Sequence, residues 1–147
     1  MILISHRGNL NGKSNTENRP GYIHKALWQG FDVEIDVWYV DGEFWLGHDI
    51  PHYKIEENFL ENPRLWCHAK SIDTLYKMTS NSLIHCFWHQ DDDVTLTSRG
   101  YLWTLPGKQL TKKSICVLPE FGDKKGKVIL PKNVAGICSD FVVNYRK

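Results

Sequence analysis

The chain has 147 residues, and 18 Lys and Arg against 17 Asp and Glu leave a formal charge of +1. That length suits one domain over residues 1–147 with a sizeable core. The balance of charge gives no support to a basic nucleic-acid footprint, so no nucleic-acid partner is expected. Lysines gather at Lys108, Lys112, Lys113, Lys124, Lys125, Lys127 and Lys132, which reads as a solvated loop face. No stretch approaches the roughly 20 apolar residues of a membrane span. The opening Ile2-Leu3-Ile4 is too short for a signal-peptide core and lacks a basic flank. A cytoplasmic protein without stable membrane insertion is the expectation. Cys67, Cys86, Cys116 and Cys138 each sit inside an apolar run and form no CxxC pair, the pattern of buried reduced thiols.

Eight strand-length apolar runs follow one another. The first, Met1–Gly8, ends in His6-Arg7-Gly8. A helix over about Pro20–Gln29 follows, with Asn18 as cap and Gly30 as stop. The second run, Phe31–Val37, carries Glu34 and Asp36. The third, Glu43–Asp49, ends in His48-Asp49. A strict two-residue turn at Asp41-Gly42 would set His48 opposite Ile35 and turn it away from Glu34 and Asp36. A bulge, or a parallel return, would bring it beside them. Local propensity favours the plain hairpin; the chemistry favours the other two.

A weak turn at Glu56–Leu60 precedes the fourth run, Leu65–Lys70. A second helix spans about Ile72–Met78, capped by Ser71. The fifth run is Ser82–Trp88. Asp91-Asp92-Asp93 then suits the start of a short helix, because acids favour a helix N-terminus. The last three runs are Tyr101–Leu105, Ser114–Leu118 and Ala135–Asp140. Near-continuous apolar runs fit parallel strands buried on both faces. Eight strands with few helices predict an α/β fold, a compact TIM-type (β/α)8 barrel with several outer helices shortened or missing. A typical barrel of that kind needs roughly 250 residues. A wall left bare of helices exposes apolar surface, and burial in a homodimer is one remedy.

The chemistry lies at the ends of these runs. Glu34 and Asp36 are two apart on one strand and share a face. Two carboxylates in one cleft repel each other unless a cation lies between them, so they are divalent-metal ligands by this reading. His6 and His48 can exchange protons near neutral pH, one deprotonating a nucleophile and the other protonating a leaving alkoxide. Arg7 can grip a phosphate through paired hydrogen bonds. Lys70 can neutralise developing phosphate charge. His85 and His89 flank Cys86-Phe87-Trp88, and solvated loop polarity is favoured over a second metal site there.

The order His6-Arg7-Gly8, Glu17-Asn18, Glu34-x-Asp36, Asp41-Gly42, His48-Asp49 resembles the glycerophosphodiester phosphodiesterase family, within the wider group of phospholipase-C-like phosphodiesterases. The match is dense over His6–Asp49. Beyond it, Cys86-Phe87 resembles the family's Ser-Phe, Trp103-Thr104 its Trp-Thr, and Gly136–Asp140 its closing Gly-Ile-x-Thr-Asp. The resemblance implies a phosphoric diester hydrolase on a TIM-type barrel. It gives acid/base roles to His6 and His48, phosphate contact to Arg7 and Lys70, and metal binding to Glu34 and Asp36. The substrate is a small-molecule or lipid-head-group phosphodiester, and the cofactor a divalent metal, Mg²⁺ or Ca²⁺.

Two departures stand out, His68 and the short Ile50–Arg64 segment, beside a slighter one at Arg19. Arg19 replaces the Thr that follows the family's Glu-Asn, a minor change. Where the family carries a strand-four metal-binding glutamate, this chain has His68. Either His68 is itself a ligand, which shifts preference toward Mn²⁺ or Zn²⁺, or Glu120 supplies the missing oxygen. Only Ile50–Arg64 stand where the family inserts a small domain that helps build the glycerol pocket. Two other functions fit the same residues: a sphingomyelinase-D-like or phospholipase-like lyase that forms a cyclic phosphate, and a non-catalytic phosphate-binding barrel.

Overall fold

A computed structural model describes residues 1–121 and 132–146. Lys124, Lys125 and Lys127 of the lysine cluster lie outside the described residues. The strands are β1 (Ile2–His6), β2 (Asp32–Val40), β3 (Glu43–Leu46), β4 (Tyr53–Ile55), β5 (Leu65–Ala69), β6 (Cys86–Trp88), β7 (Val94–Leu96), β8 (Leu102–Thr104), β9 (Ser114–Val117) and β10 (Gly136–Ser139). The helices are α1 (Pro20–Trp28) and α2 (Ile72–Thr79), with short 3-10 turns at Glu57–Glu61, Pro119–Phe121 and Val142–Tyr145. Among the described residues, no helix is long and apolar enough to cross a membrane.

All eight apolar runs form strands, and seven of them pair in parallel in the order β6, β5, β2, β1, β10, β9, β8. The (β/α)8 TIM barrel expected from the sequence is nevertheless not formed. The sheet is mixed, curls only into a half-barrel, and carries two α-helices among the described residues. The third run is antiparallel to β2 instead of a barrel strand. At the far side, β6 pairs only with β5, and β7 lies antiparallel on β8 where closure would occur. Isolated bonds tie this seam without a continuous ladder, among them Thr95 Oγ1 to the Trp88 carbonyl and the Ser98 amide to the Cys86 carbonyl, both 2.8 Å, and the Cys86 amide to Ser98 Oγ at 2.9 Å. The helix expected from Asp91 is replaced by β7. The physical reason is chain length. Connections such as Leu105–Lys113 are too short for a crossover helix, and an uncovered strand cannot bury both faces.

Where helices do occur, local chemistry supports them. Ser71 caps α2 by accepting from the Thr74 amide, and Thr74 Oγ1 accepts the Tyr39 amide at 2.8 Å, which ties the helix to β2. The first helix differs from expectation. Its N-cap is Arg19 with Pro20 at the first turn, and Asn18 is used elsewhere. Ile23, Ala26 and Leu27 of α1 pack with Val33, Ile35 and Val37 of β2 in the outer core. Such buried aliphatic side chains stabilise by about 1.5–3 kcal/mol each.

Register fixes what faces inward. His6 lies beside Glu34, Glu34 beside Trp66, Asp36 beside His68, and His68 beside Phe87. Ile4, Trp66, Phe87, Trp103, Ile115 and Cys138 therefore floor the curl as one buried cluster. The polar residues of the same face stand one or two positions later, at the C-terminal strand ends. All four cysteines are free and buried, as expected.

His85 is buried against Trp66, at 4.2 Å between ring centroids, and bonded to Thr97 Oγ1 at 2.8 Å. Burial, reinforced by the charge of Arg99, lowers its pKa to about 4. The unfolded chain takes up this proton near the ordinary value of about 6.5. Stability contributed by neutral His85 is thus fully present above that value and is lost as pH falls toward 4. Unfolding in urea between pH 7 and pH 4 should show a loss of up to about 3 kcal/mol from this group. The loss should be smaller in His85→Gln; equal slopes in both proteins would refute the assignment.

Candidate metal and acid–base site

Four neighbouring strands, β5, β2, β1 and β10, end together and deliver the polar groups. A cleft of about 580 Å³ opens there, lined by His6, Arg7, Glu34, His48, His68 and Lys70 on one side and by Trp103, Leu105, Val117 and Leu118 on the other. Six sequence-predicted residues thus meet in one cleft. Asp36 lies behind them, fully buried, and Glu120 stands apart.

The centre is Glu34, Asp36 and His68, whose ligand atoms all lie within 4.8 Å of one another. Glu34 is 2% exposed and Asp36 0%. Glu34 Oε2 and Asp36 Oδ1 are buried with no hydrogen-bond partner among the described residues. Buried carboxylate oxygens seldom lack a donor, and such an orphan marks a place where an ion is expected. The His68 ring is held by Nε2–H donating to the His89 carbonyl at 2.8 Å. This bond fixes which nitrogen faces the acids. Nδ1 lies 3.3 Å from Asp36 Oδ1 and 3.6 Å from Glu34 Oε1. Two donors each about 2.1 Å from an ion stand no more than about 4.2 Å apart, so His68 fits beside both carboxylates as a ligand.

Without an ion, Nδ1 must carry a proton, since a lone pair aimed at two carboxylates would be repelled. Burial alone would lower the His68 pKa, but hydrogen bonding to Asp36 and Glu34 and their charges raise it to about 9. Asp36 is pulled the other way. Burial disfavours its charge, yet His68, Arg7 and Lys70 hold its carboxyl well below the usual range.

Asp36 is gripped from three further directions. Arg7 Nε lies 3.0 Å from Oδ2, Lys70 Nζ 3.5 Å from Oδ1, and Asn18 Nδ2 donates to Oδ2 at 2.9 Å while its Oδ1 accepts the Asp36 amide. Asn18 adopts φ of 62° to do this, which explains why it does not cap α1. Arg7 also bonds Glu17 through Nη1 at 3.2 Å. Two of its three nitrogens are thus turned toward carboxylates.

His6 donates from Nδ1 to Asp140 Oδ1 at 2.7 Å, leaving Nε2 directed toward Glu34 Oε2 at 3.8 Å. Burial lowers the His6 pKa, but Asp140 and Glu34 outweigh it and hold the imidazole above its ordinary value. Asp140 is buried and accepts from Asn9 Nδ2 at 2.8 Å, while its amide donates to Glu120 Oε1 at 2.9 Å. Glu120 takes the Ser139 hydroxyl as well. The carboxylate offered as an alternative metal ligand is thus spent on orienting β10. Asp140 and Asn9 were assigned no role from the sequence. Asp140 could have been found, because first and last strands adjoin in a curled parallel sheet and alternation from Cys138 places it on the face of His6.

His48 reaches the cleft by a route not anticipated. The plain hairpin does form, with Val40 opposite Glu43 and Val37 opposite Leu46. The strand then stops. Gly47 still donates its amide to the Asp36 carbonyl at 3.1 Å, but at φ of 153° it bends the chain there, so the face rule no longer governs His48. A Cβ at Gly47 would lie 2.0 Å from the Ile50 carbonyl oxygen. His48 is half-exposed, its Nδ1 at 2.7 Å from Asp49 Oδ1.

Two measurements probe this geometry. In metal-free protein, NMR should show His68 titrating near pH 9, and Asp36→Asn should bring that value down by removing a facing charge. Gly47→Ala should destabilise by about 2–4 kcal/mol, since both the backbone conformation and the contact forbid a side chain. A neutral outcome in thermal unfolding would contradict the bend.

In comparisons with protein-family models, curated proteins and solved structures, no match is found for this chain.

Proposed function

We propose that this protein is a metal-dependent phosphodiesterase acting on a glycerophosphodiester-like small molecule or head group. One observation carries the reading: two buried carboxylates with orphaned oxygens, Glu34 lining the cleft and Asp36 just behind it, stand beside His6, His48, His68 and Lys70. A divalent ion on Glu34, Asp36 and His68 would polarise a bound phosphate and offset its charge.

The chain's own groups do the rest. Lys70 and the Arg7 guanidinium supply positive charge beside the ion site. His6 keeps its Nδ1 proton on Asp140, so the proton available to a substrate is the one on Nε2. With its pKa raised by Asp140 and Glu34, His6 suits the general acid, giving that proton to the departing alkoxide as the P–O bond breaks. His48, with Nδ1 at Asp49, presents Nε2 as the base that removes a proton from the attacking water. Asp140 positions His6 and Asn9 holds Asp140. The apolar wall of Trp103, Leu105, Val117 and Leu118 faces the leaving group's side of the cleft.

The test is hydrolysis of bis-p-nitrophenyl phosphate and glycerophosphodiesters by chelator-stripped protein with added divalent ions. His6→Ala and His48→Ala should each lower kcat by about 10²–10⁴ with the fold intact by circular dichroism. Asp140→Asn should lower kcat less and move the alkaline limb of the pH profile to lower pH, because His6 loses the partner that holds its proton. Full activity in either histidine variant would overturn the mechanism. Phosphate binding without turnover of any diester would favour a binding protein instead.

A further inference from the structure

The ion site contains a nitrogen where an all-oxygen set would suit a hard cation. Mg²⁺ and Ca²⁺ are bound through oxygen, from carboxylates, carbonyls and water. Imidazole suits Fe²⁺, Ni²⁺, Cu²⁺ or Zn²⁺ better. Three observations make the nitrogen a structural commitment rather than a chance neighbour. His68 occupies a strand position in register with Asp36, so its side chain shares the face of both carboxylates. Its ring stacks on Phe87, with centroids at 5.2 Å and planes at 7°. Its Nε2–H is spent on the His89 carbonyl, which leaves Nδ1 as the nitrogen directed at the acids. Glu120, the other oxygen within reach of the sequence argument, is occupied by Ser139 and the Asp140 amide. No further carboxylate joins the group among the described residues.

We propose that Glu34, Asp36 and His68 Nδ1 form a mixed nitrogen–oxygen centre selective for a first-row transition-metal dication over Mg²⁺ and Ca²⁺. The centre takes the presence of a metal from the proposed function but not the phosphodiester chemistry. Phe87 and the His89 carbonyl hold the imidazole rigid, so selectivity follows from one residue. Any site of this kind binds transition metals somewhat more tightly than Mg²⁺. The response of that preference to His68 is therefore the informative quantity.

The experiment uses the full chain, stripped with chelator, and reads binding rather than turnover. Calorimetric titrations with Mn²⁺, Co²⁺, Mg²⁺ and Ca²⁺ give the preference of the wild type. His68→Glu should compress the Mn²⁺-to-Mg²⁺ affinity ratio by about 10-fold or more, chiefly by strengthening Mg²⁺. Pulsed electron paramagnetic resonance of the Mn²⁺-loaded wild type should show coupling to a directly bound nitrogen. That coupling should vanish in His68→Gln, whose amide can still reach the His89 carbonyl. If His68→Glu fails to fold, the wild-type spectrum and His68→Gln decide the matter. The inference is overturned if Mn²⁺ does not bind, if no nitrogen coupling appears, if the coupling survives in His68→Gln, or if the ratio is unchanged in His68→Glu. A nitrogen-bound metal without diester hydrolysis would refute the proposed function and leave this centre standing. Hydrolysis supported equally by Mg²⁺, without nitrogen coupling, would do the reverse.

Discussion

Everything at this site follows from placing two carboxylates on one face of a buried strand. Glu34 and Asp36 are nearly inaccessible to water, and charges about 5 Å apart at an effective dielectric of about 20 repel by about 3 kcal/mol. Desolvation adds to that penalty. The surrounding sequence supplies compensation from every side: Arg7 from the end of β1, Lys70 and His68 from β5, and Asn18 from the loop before α1. These groups converge because β1 and β5 are the two strands that flank β2. The core below is apolar and the rim is charged, so the fold concentrates its polar chemistry at one edge.

The compensation is uneven, and the unevenness is informative. Asp36 is surrounded by cations and an amide. Among the described residues, the cationic groups within 4 Å of the Glu34 carboxylate are the two histidines, His6 at 3.8 Å and His68 at 3.6 Å. Asp36 thus acts as the anchored member of the pair, while Glu34 faces the cleft with an oxygen free. His6 gains its rigidity from β10 through Asp140, whose own amide is fixed by Glu120. One acid orients the base of another strand's histidine, and a second acid orients the first.

Much of this was legible in the residues. The strands were marked by apolar runs, and alternation alone put Glu34 with Asp36 and His68 with Lys70. Parallel pairing followed from runs too apolar for a half-wet sheet. What could not be read was closure. A ring of eight parallel strands and an open curl with an antiparallel strand on its edge share the same local patterns, and only the pairing of β6 and β8 separates them. Asp91–Asp93 looked like a helix start because acids favour that position, yet the following Val94-Thr95-Leu96 finds β8 as a partner. The hairpin at Asp41-Gly42 was correctly read as local structure, but its consequence for His48 was not, since the bend at Gly47 cancels the alternation rule one residue before it matters. Asp140 was missed because its importance lies in a contact spanning 134 residues.

The seam between β6 and β8 sets how the two walls of the cleft are joined. The charged groups are carried by β5, β2, β1 and β10, which form an unbroken run of the sheet. Trp103, Leu105, Val117 and Leu118 ride on β8, β9 and the segments that follow them, across from the charged wall. A closed ring would fix the width between these walls. Here the backbone ladder joins them around the back, through β10 and β9, while at the front bonds from His85 and Cys86 to Thr97 and Ser98, and from Thr95 to Trp88, tie the edges without a continuous ladder. The protein thus sets a charged wall and an apolar wall face to face across one cleft.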